Sequence, residues 1–177
     1  MLNDPALFNS IISELESITI DYLNKQIAAG VDALQLFDSW TNTLSWNDFN
    51  EISSKPLQRI IQSLDNPKNI PITIFCKNSG LFYPMLENTG CNAISLDWNC
   101  DIRKISTRIR SDIAIQGNLD PHLLYTPDSI LKERVHEILD GMSNRPGFIF
   151  NLGHGLLPDI NPEKVGKVVR WVQEFRN

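Results

Sequence analysis

The stretch FIFNLGHGLLPD, residues 148–159, contains a histidine that packing alone does not explain. Three apolar residues predict a buried strand, and His154 follows its end between Gly153 and Gly155. An imidazole donates hydrogen bonds, and its charge changes near neutral pH. Glycines let the backbone approach a ligand closely because they lack a Cβ. The pattern favours a ligand contact for His154 over the alternative of a strand-end residue bonded to backbone.

Four other apolar segments also end in polar residues. These exits are Asp38-Ser39-Trp40, Lys77-Asn78-Ser79-Gly80, Asp97-Trp98-Asn99 and Gly117-Asn118-Leu119-Asp120-Pro121. The working groups of an α/β barrel lie at the carboxyl ends of its strands. We therefore expect all five exits, including that of His154, to lie together at the carboxyl end of the sheet, which we call the mouth.

Five strands are needed to position these exits, and strand patterns alternate with helical patterns along the chain. The strands are predicted over 33–37, 70–76, 93–96, 113–116 and 148–151. Helices are predicted to begin at Asp4-Pro5, Thr126-Pro127 and Asn161-Pro162. Short apolar strands between helices are typical of a parallel α/β sheet. The GxGxxG and P-loop patterns of nucleotide-binding sheets are absent from the sequence.

Composition narrows the class of protein. A length of 177 residues predicts one domain over 1–177, and the net charge of -5 disfavours a nucleic-acid partner. Apolar runs fall short of the roughly 20 residues that cross a bilayer, and MLNDPALFNS lacks the layout of a signal peptide. Cys76, Cys91 and Cys100 have no CxxC spacing, which disfavours disulfides and structural zinc. We expect a cytoplasmic protein without a membrane or nucleic-acid partner.

The strand count does not close a barrel. A (β/α)8 barrel has eight strands and typically about 250 residues, whereas this sequence supplies five predicted strands and 177 residues. Either the barrel is open and incomplete, or other strands come from elsewhere.

Four motifs carry a resemblance to a known family. They are GVDALQLFDSW at 30–40, AISLDW at 93–98, IQGNLDP at 115–121 and NLGHGLLPD at 151–159. In this order and spacing they resemble the C-terminal part of uroporphyrinogen decarboxylase, and the resemblance covers essentially the whole chain. The implied fold class is α/β, a partial (β/α)8 TIM barrel made of the C-terminal five βα units and open where the N-terminal units are missing.

The resemblance also implies an activity. The family is a carboxy-lyase of haem biosynthesis that removes the four acetate carboxyls of uroporphyrinogen III to give coproporphyrinogen III. It acts as a homodimer and uses no metal or organic cofactor. Carbon dioxide leaves only if the remaining electron pair has a sink, which a protonated pyrrole supplies. The protein must stabilise that cation and hold the carboxylates still.

Three residues match the family's site motifs and are implied to bind substrate. Phe37 and Ser39 match the LF-x-S motif, with Phe37 as an apolar wall and Ser39 as a hydrogen-bonding group. His154 matches NLGHG, as a donor to a carboxylate arm. The family's key aspartate, its arginines and its tyrosine precede the point where this chain starts. We therefore expect no catalytic residue in this chain, and a partner in the missing N-terminal portion.

Less specific interpretations remain open for the same residues. Ser39 could cap a local turn, and Phe37 could belong to the core. Asp38 and Asp97 are predicted to shape loops rather than to form an acid/base pair. Trp40, close to Ser39, is the one tryptophan considered for the site, whereas Trp46, Trp98 and Trp171 are predicted to pack.

Two rival functions also remain open. The chain could be an inactive remnant or an assembly or binding module, because unpaired edge strands and exposed apolar faces favour association. It could instead be related to corrinoid-linked methyltransferases, which bind zinc with a His-x-Cys pair. Ile74 stands where that histidine would be, two residues before Cys76, which disfavours zinc.

Overall fold

The computed structural model describes residues 3–175 and contains five strands separated by helices. The strands are β1 (Leu34–Asp38), β2 (Ile72–Cys76), β3 (Ala93–Ser95), β4 (Ala114–Leu119) and β5 (Phe148–Leu152). The α-helices are α1 (Pro5–Ala29), α2 (Trp46–Phe49), α3 (Lys55–Gln62), α4 (Ser79–Leu86), α5 (Ile102–Ser106), α6 (Asp128–Met142) and α7 (Pro162–Glu174). A π-helical turn, Asn50–Ser54, joins α2 to α3, and short 3-10 helices follow β1 and β4.

The first helix begins where the sequence predicts, at Asp4-Pro5. The Asp4 carboxylate accepts a hydrogen bond from the Leu7 amide at 3.0 Å, which satisfies one of the free N–H groups of the first turn. Gly30 ends the helix in the left-handed conformation, which glycine adopts without steric cost.

All strands are parallel and lie in the order β1-β2-β3-β4-β5. In β1, Leu34 and Leu36 are buried, whereas Gln35 is half-buried and Phe37 is exposed. Alternate residues thus point to opposite faces of the sheet. The main core lies on the face that carries the two leucines, where the helices pack.

The opposite face is concave. The Gln116 side-chain amide in β4 donates to Ser95 Oγ at 3.0 Å and to Gln35 Oε1 in β1 at 3.3 Å. On a flat sheet, β1 and β4 would lie three spacings of about 4.8 Å apart. Two glutamine side chains meet over that separation because the sheet curves toward them.

The predicted end of the fourth strand is wrong by three residues. We predicted that the fourth strand ends at Gln116. Instead β4 continues through Gly117 and Asn118 to Leu119. A Cβ on Gly117 would lie 2.7 Å from the Leu96 carbonyl oxygen, so glycine is required here by close packing of neighbouring backbones. Asn118 therefore belongs to the strand and is buried.

The connection between β1 and α3 is anchored by a stacked pair of rings. Phe49 is fully buried and its ring lies parallel to that of Phe82 in α4, with the centroids 3.9 Å apart. Trp46 lies beside the same ring at 6.1 Å but remains half exposed. None of the helices within residues 3–175 is long and apolar enough to cross a membrane.

We expect Phe49→Ala to lower the free energy of unfolding by about 3–5 kcal/mol, because it leaves a cavity against Phe82. Trp46→Ala, which removes a larger but half-exposed ring, is the control and should cost less. Urea denaturation followed by circular dichroism measures both. Equal losses for the two variants would contradict the assignment of Phe49 as the anchor.

Candidate active site

A cavity of about 380 Å3 opens at the carboxyl ends of the strands. We call it the strand-end cavity. Its lining is mostly polar and aromatic and comes from β1 and its exit, from β2 and β3, and from the end of β5 and its exit: Gln35, Phe37, Ser39, Phe75, Ser95, Asn151, Leu152, His154 and Gly155. The three residues predicted to bind substrate, Phe37, Ser39 and His154, thus line the same cavity, although 117 positions separate Phe37 from His154 in the sequence.

His154 is held by aromatic rings. Its imidazole meets the Trp98 ring edge-on at 5.5 Å and an interplanar angle of 90°, and the Phe75 ring at 5.9 Å. Among residues 3–175, neither ring nitrogen makes a hydrogen bond to a protein group. Within the described residues, His154 is therefore not the backbone-bonded strand-end residue of the alternative interpretation. The ring is positioned by packing, and its nitrogens are free to bind a ligand.

Phe37 is 68% exposed on the concave face, with its ring 5.8 Å from that of Phe75. The alternative that placed Phe37 in the core is wrong. Alternate residues of β1 point to opposite faces, so Leu36 faces the core and Phe37 faces the concave side. Ser39 is half-buried, and within the described residues its hydroxyl makes no hydrogen bond that would cap the turn. Both side chains are available to the cavity.

Asp38 and Asp97 have structural partners. The Asp38 carboxylate accepts a hydrogen bond from the Ser53 hydroxyl at 2.7 Å. Asp97 is fully buried, and its Oδ2 accepts from the Asn78 amide at 2.7 Å and the Asn99 side chain at 3.3 Å. Asp97 thus shapes the loops after β2 and β3, as predicted, whereas Asp38 has a structural partner in a helical turn rather than a loop amide.

The main chain of Asp97 also joins neighbouring strand ends. Its amide donates to Ser79 Oγ at 2.9 Å, and its carbonyl accepts from the Asn118 side chain at 2.8 Å. The same Asn118 amide group donates to the Cys100 carbonyl at 2.9 Å. Asp97 therefore connects the ends of β2, β3 and β4.

Gly153 brings the end of β5 to the same place. A Cβ on Gly153 would lie 2.3 Å from the Trp98 amide nitrogen and 2.9 Å from the Asp97 carbonyl carbon. A Cβ on Gly155 would meet nothing within 4 Å. The sequence reasoning assigned both glycines to close approach of a ligand. The structure gives Gly153 a different reason, which is close approach of the β3 exit.

Sequence reasoning missed several residues that line the cavity. Gln35 and Phe75 lie on the concave face because Phe37 does: Gln35 is two residues before Phe37 in β1, and Phe75 is its register partner in β2. The period-2 alternation of β1 was the signal that could have found Gln35. Phe75 required the register between strands, which the sequence alone does not give.

Cysteine chemistry has little support near this site. Burial raises the pKa of the Cys76 thiol, and burial followed by the nearby Asp97 charge raises the pKa of Cys100 to about 12. Both thiols are thus protonated near neutral pH, which disfavours them as nucleophiles. Within residues 3–175, no group of three or more His, Cys, Asp or Glu side chains is arranged to hold a metal ion.

A curved parallel sheet with a polar cavity at the carboxyl ends of its strands defines a class of α/β protein that binds ligands at this position. Comparison with known proteins identifies the family. Residues 1–175 match the family described as Uroporphyrinogen decarboxylase (URO-D), and the chain belongs to that family.

Curated relatives named uroporphyrinogen decarboxylase match nearly the whole chain. The protein from Protochlamydia amoebophila is 44% identical over 176 residues, which cover 99% of this chain and 48% of the relative. Those from Tolumonas auensis and Ruthia magnifica are 38% and 36% identical, with 50% and 51% of the relative covered. The chain thus spans about half the length of these relatives.

Solved structures support the fold. A methyltransferase from Methanosarcina mazei superposes with a TM-score of 0.77 at 21% identity, over 90% of this chain and 47% of that chain. A putative vitamin-B12 independent methionine synthase from Listeria monocytogenes gives a TM-score of 0.68 at 17% identity, over 98% of this chain and 58% of that chain. At these identities the likeness concerns the fold alone.

We expect Gly153→Ala to lower the free energy of unfolding by about 1–3 kcal/mol, because the new Cβ meets backbone that cannot move aside easily. Gly155→Ala faces open space and should stay within about 0.5 kcal/mol of wild type. Urea denaturation of both variants measures the difference. Equal stabilities would show that β5 does not pack on the β3 exit.

The stability of the fold should also depend on pH through the buried Asp97 carboxyl. Burial raises the pKa of the Asp97 carboxyl, so the folded state favours its protonated form. The stability that it contributes is present below the ordinary aspartate pKa of about 3.9 and is lost as pH rises through the raised folded-state value. We expect the stability of wild type relative to Asp97→Asn to fall over that window.

Asp112→Asn provides a control of opposite sign. Hydrogen bonds from Arg110 lower the pKa of the Asp112 carboxyl. The free energy of unfolding of wild type, relative to Asp112→Asn, should therefore rise slightly as pH increases from the lowered folded-state pKa to the ordinary aspartate value. The effect is small because the pair is exposed to solvent. Denaturation curves across acid to neutral pH give both differences. A wild type that gains on Asp97→Asn as pH rises would contradict the burial argument.

Proposed function

We propose that this chain forms part of the substrate site of a uroporphyrinogen decarboxylase. The reaction releases carbon dioxide from the four acetate arms of uroporphyrinogen III to give coproporphyrinogen III. The observation that carries the proposal is the convergence of Phe37, Ser39 and His154 on one strand-end cavity, in a chain of this family.

Each of the three residues has a role that suits its surroundings. Phe37 presents an exposed ring, tilted against that of Phe75, as an apolar wall for the macrocycle. Ser39 offers a hydroxyl at the same wall. His154 offers ring nitrogens that no described protein group occupies, and an imidazole donates well to a carboxylate. These groups hold and orient substrate arms.

In our proposal, none of these three residues stabilises the positive charge that the reaction develops on the pyrrole. Loss of carbon dioxide leaves an electron pair that a protonated pyrrole accepts, and an anionic group must stabilise that cation. Asp38 and Asp97 are occupied by Ser53 and by the Asn78 amide. We therefore assign the stabilising carboxylate to protein beyond the 177 residues.

We propose that the sheet is five-eighths of a (β/α)8 barrel, with residues 1–177 as one portion of the domain. The curvature that brings Gln116 to Gln35 supports this, and so do the two ends of the sheet. Among the described residues, β1 pairs only with β2, and β5 only with β4. About three further βα units would cover these edges.

Exposed apolar surface at both ends supports the same closure. Helix α1 buries Leu23 and Ile27, yet carries a second apolar row between 50% and 61% exposed. That row is Leu7, Ile11, Leu15, Ile18 and Tyr22. At the other end, a groove of about 500 Å3 lies between β5 and α7 and is lined by Phe150, Val165, Val168 and Val169 among others.

The closed barrel would dimerise with a second copy and act in the cytoplasm without a metal or organic cofactor.

A chimera tests the proposal. This chain replaces the matching part of the Protochlamydia amoebophila relative, and decarboxylation of uroporphyrinogen is followed by separation of the products. We expect turnover by the chimera and none by the 177-residue chain alone. A folded chimera without activity, beside an active parent, would favour the alternative of an inactive or assembly module.

Variants of the chimera test the individual roles. We expect His154→Ala and Ser39→Ala each to lower kcat/KM by about tenfold to a hundredfold, the loss expected for one hydrogen bond to a charged group. His136→Ala removes an imidazole from α6, beside Phe175, and is the matched control. If His154→Ala turned over as fast as the control, the assigned role of His154 would be wrong.

A further inference from the structure

Lys77 is the first residue after β2, and its backbone is fixed on both sides. Its amide donates to the Asp38 carbonyl at 3.3 Å, which continues the ladder between β1 and β2 by one step. Its carbonyl accepts a hydrogen bond from the Thr41 hydroxyl at 2.6 Å, and Thr41 is fully buried. The position of Lys77 at the mouth is therefore set by the fold.

The register places Lys77 beside a residue of the strand-end cavity. Phe37 pairs with Phe75 and Asp38 with Cys76, so the next positions along the two chains are Ser39 and Lys77. Ser39 lines the cavity. The Lys77 ammonium lies 5.9 Å from the centre of the Trp40 ring, which directly follows Ser39 and is 77% exposed.

The ammonium of Lys77 has no anionic partner in the described part of the chain. Within residues 3–175, no carboxylate lies within 4.0 Å of it, whereas Lys25, Lys55, Lys104, Lys164 and Lys167 each meet one. The nearby carboxylate of Asp38 accepts from Ser53 instead. Lys77 is a half-buried residue at the mouth, its ammonium lies over a ring, and it has no carboxylate partner among residues 3–175, so it is arranged to receive an anion.

We propose that Lys77 is a substrate-binding residue that pairs with a carboxylate arm of the porphyrinogen. The inference rests on the proposed function and deepens it, because it adds a cation at the mouth to the wall and the two hydrogen-bonding groups. Its ammonium anchors one arm beside Ser39. As a point charge that contacts an arm away from the reacting pyrrole, it should affect binding of the substrate more than the chemical step.

The chain contains a matched control. The Lys132 ammonium in α6 lies over the Trp171 ring, also at 5.9 Å, but on the outer helical layer. Lys132→Met and Lys77→Met therefore remove the same charge and the same contact with a ring. Only Lys77 follows a strand end at the mouth.

The first experiment titrates the 177-residue chain with uroporphyrin, the oxidised macrocycle with the same carboxylate arms, and follows tryptophan fluorescence. We expect Lys77→Met to raise Kd by about tenfold, Lys77→Arg to restore most of the affinity, and Lys132→Met to match wild type. The advantage of wild type over Lys77→Met should shrink with added salt. Equal Kd values for the two Met variants, or no binding by wild type, would overturn the inference.

The second experiment separates this inference from the proposed function. In the chimera, Lys77→Met should raise KM by about tenfold and leave kcat within about twofold. An unchanged KM in an active chimera would overturn the inference and leave the proposed function standing. An inactive chimera whose constituent chain binds uroporphyrin through Lys77 would overturn the proposed function and leave the carboxylate site standing.

Discussion

The buried Asp97 is the constraint on which the mouth depends. Its carboxylate, amide and carbonyl bind groups from the β2 exit and from β4, and Gly153 brings the β5 exit against its backbone. Four strand ends thus meet around one residue. The arrangement has a cost, because Asp97 Oδ1 is buried without a partner among the described residues, and burial raises the pKa of the carboxyl.

This constraint explains how the His154 ring is positioned although it makes no hydrogen bond to the described residues. Gly153 fixes the backbone immediately before His154, and Trp98, which follows Asp97, supplies one of the rings against which the imidazole lies. The polar network therefore positions His154 through main chain and packing, and it leaves the ring nitrogens to a ligand. Phe37 and Ser39 reach the same cavity from β1 because the sheet curves.

Much of this arrangement could be predicted from the sequence, and the failures have physical causes. Alternating strand and helix patterns predict parallel strands, and parallel strands bring Phe37, Ser39 and His154 to one face. The predicted end of β4 was wrong because Gly117 is required by the Leu96 carbonyl just beyond β3, a contact between segments that the sequence does not show to be close. The connecting role of Asp97 and the isolation of Lys77 depend on contacts between distant segments, which no local pattern contains.

The central claim is that a carboxylate-bearing macrocycle binds at the mouth, against Phe37, Ser39 and His154. The most direct measurement is a titration of the isotope-labelled chain with uroporphyrin, followed by NMR of backbone amides and histidine rings. The account predicts shifts at the exits of β1, β2 and β5, including the His154 ring, while the His136 ring on α6 stays unchanged. Shifts confined to the exposed row of α1 or the outer helices would contradict it.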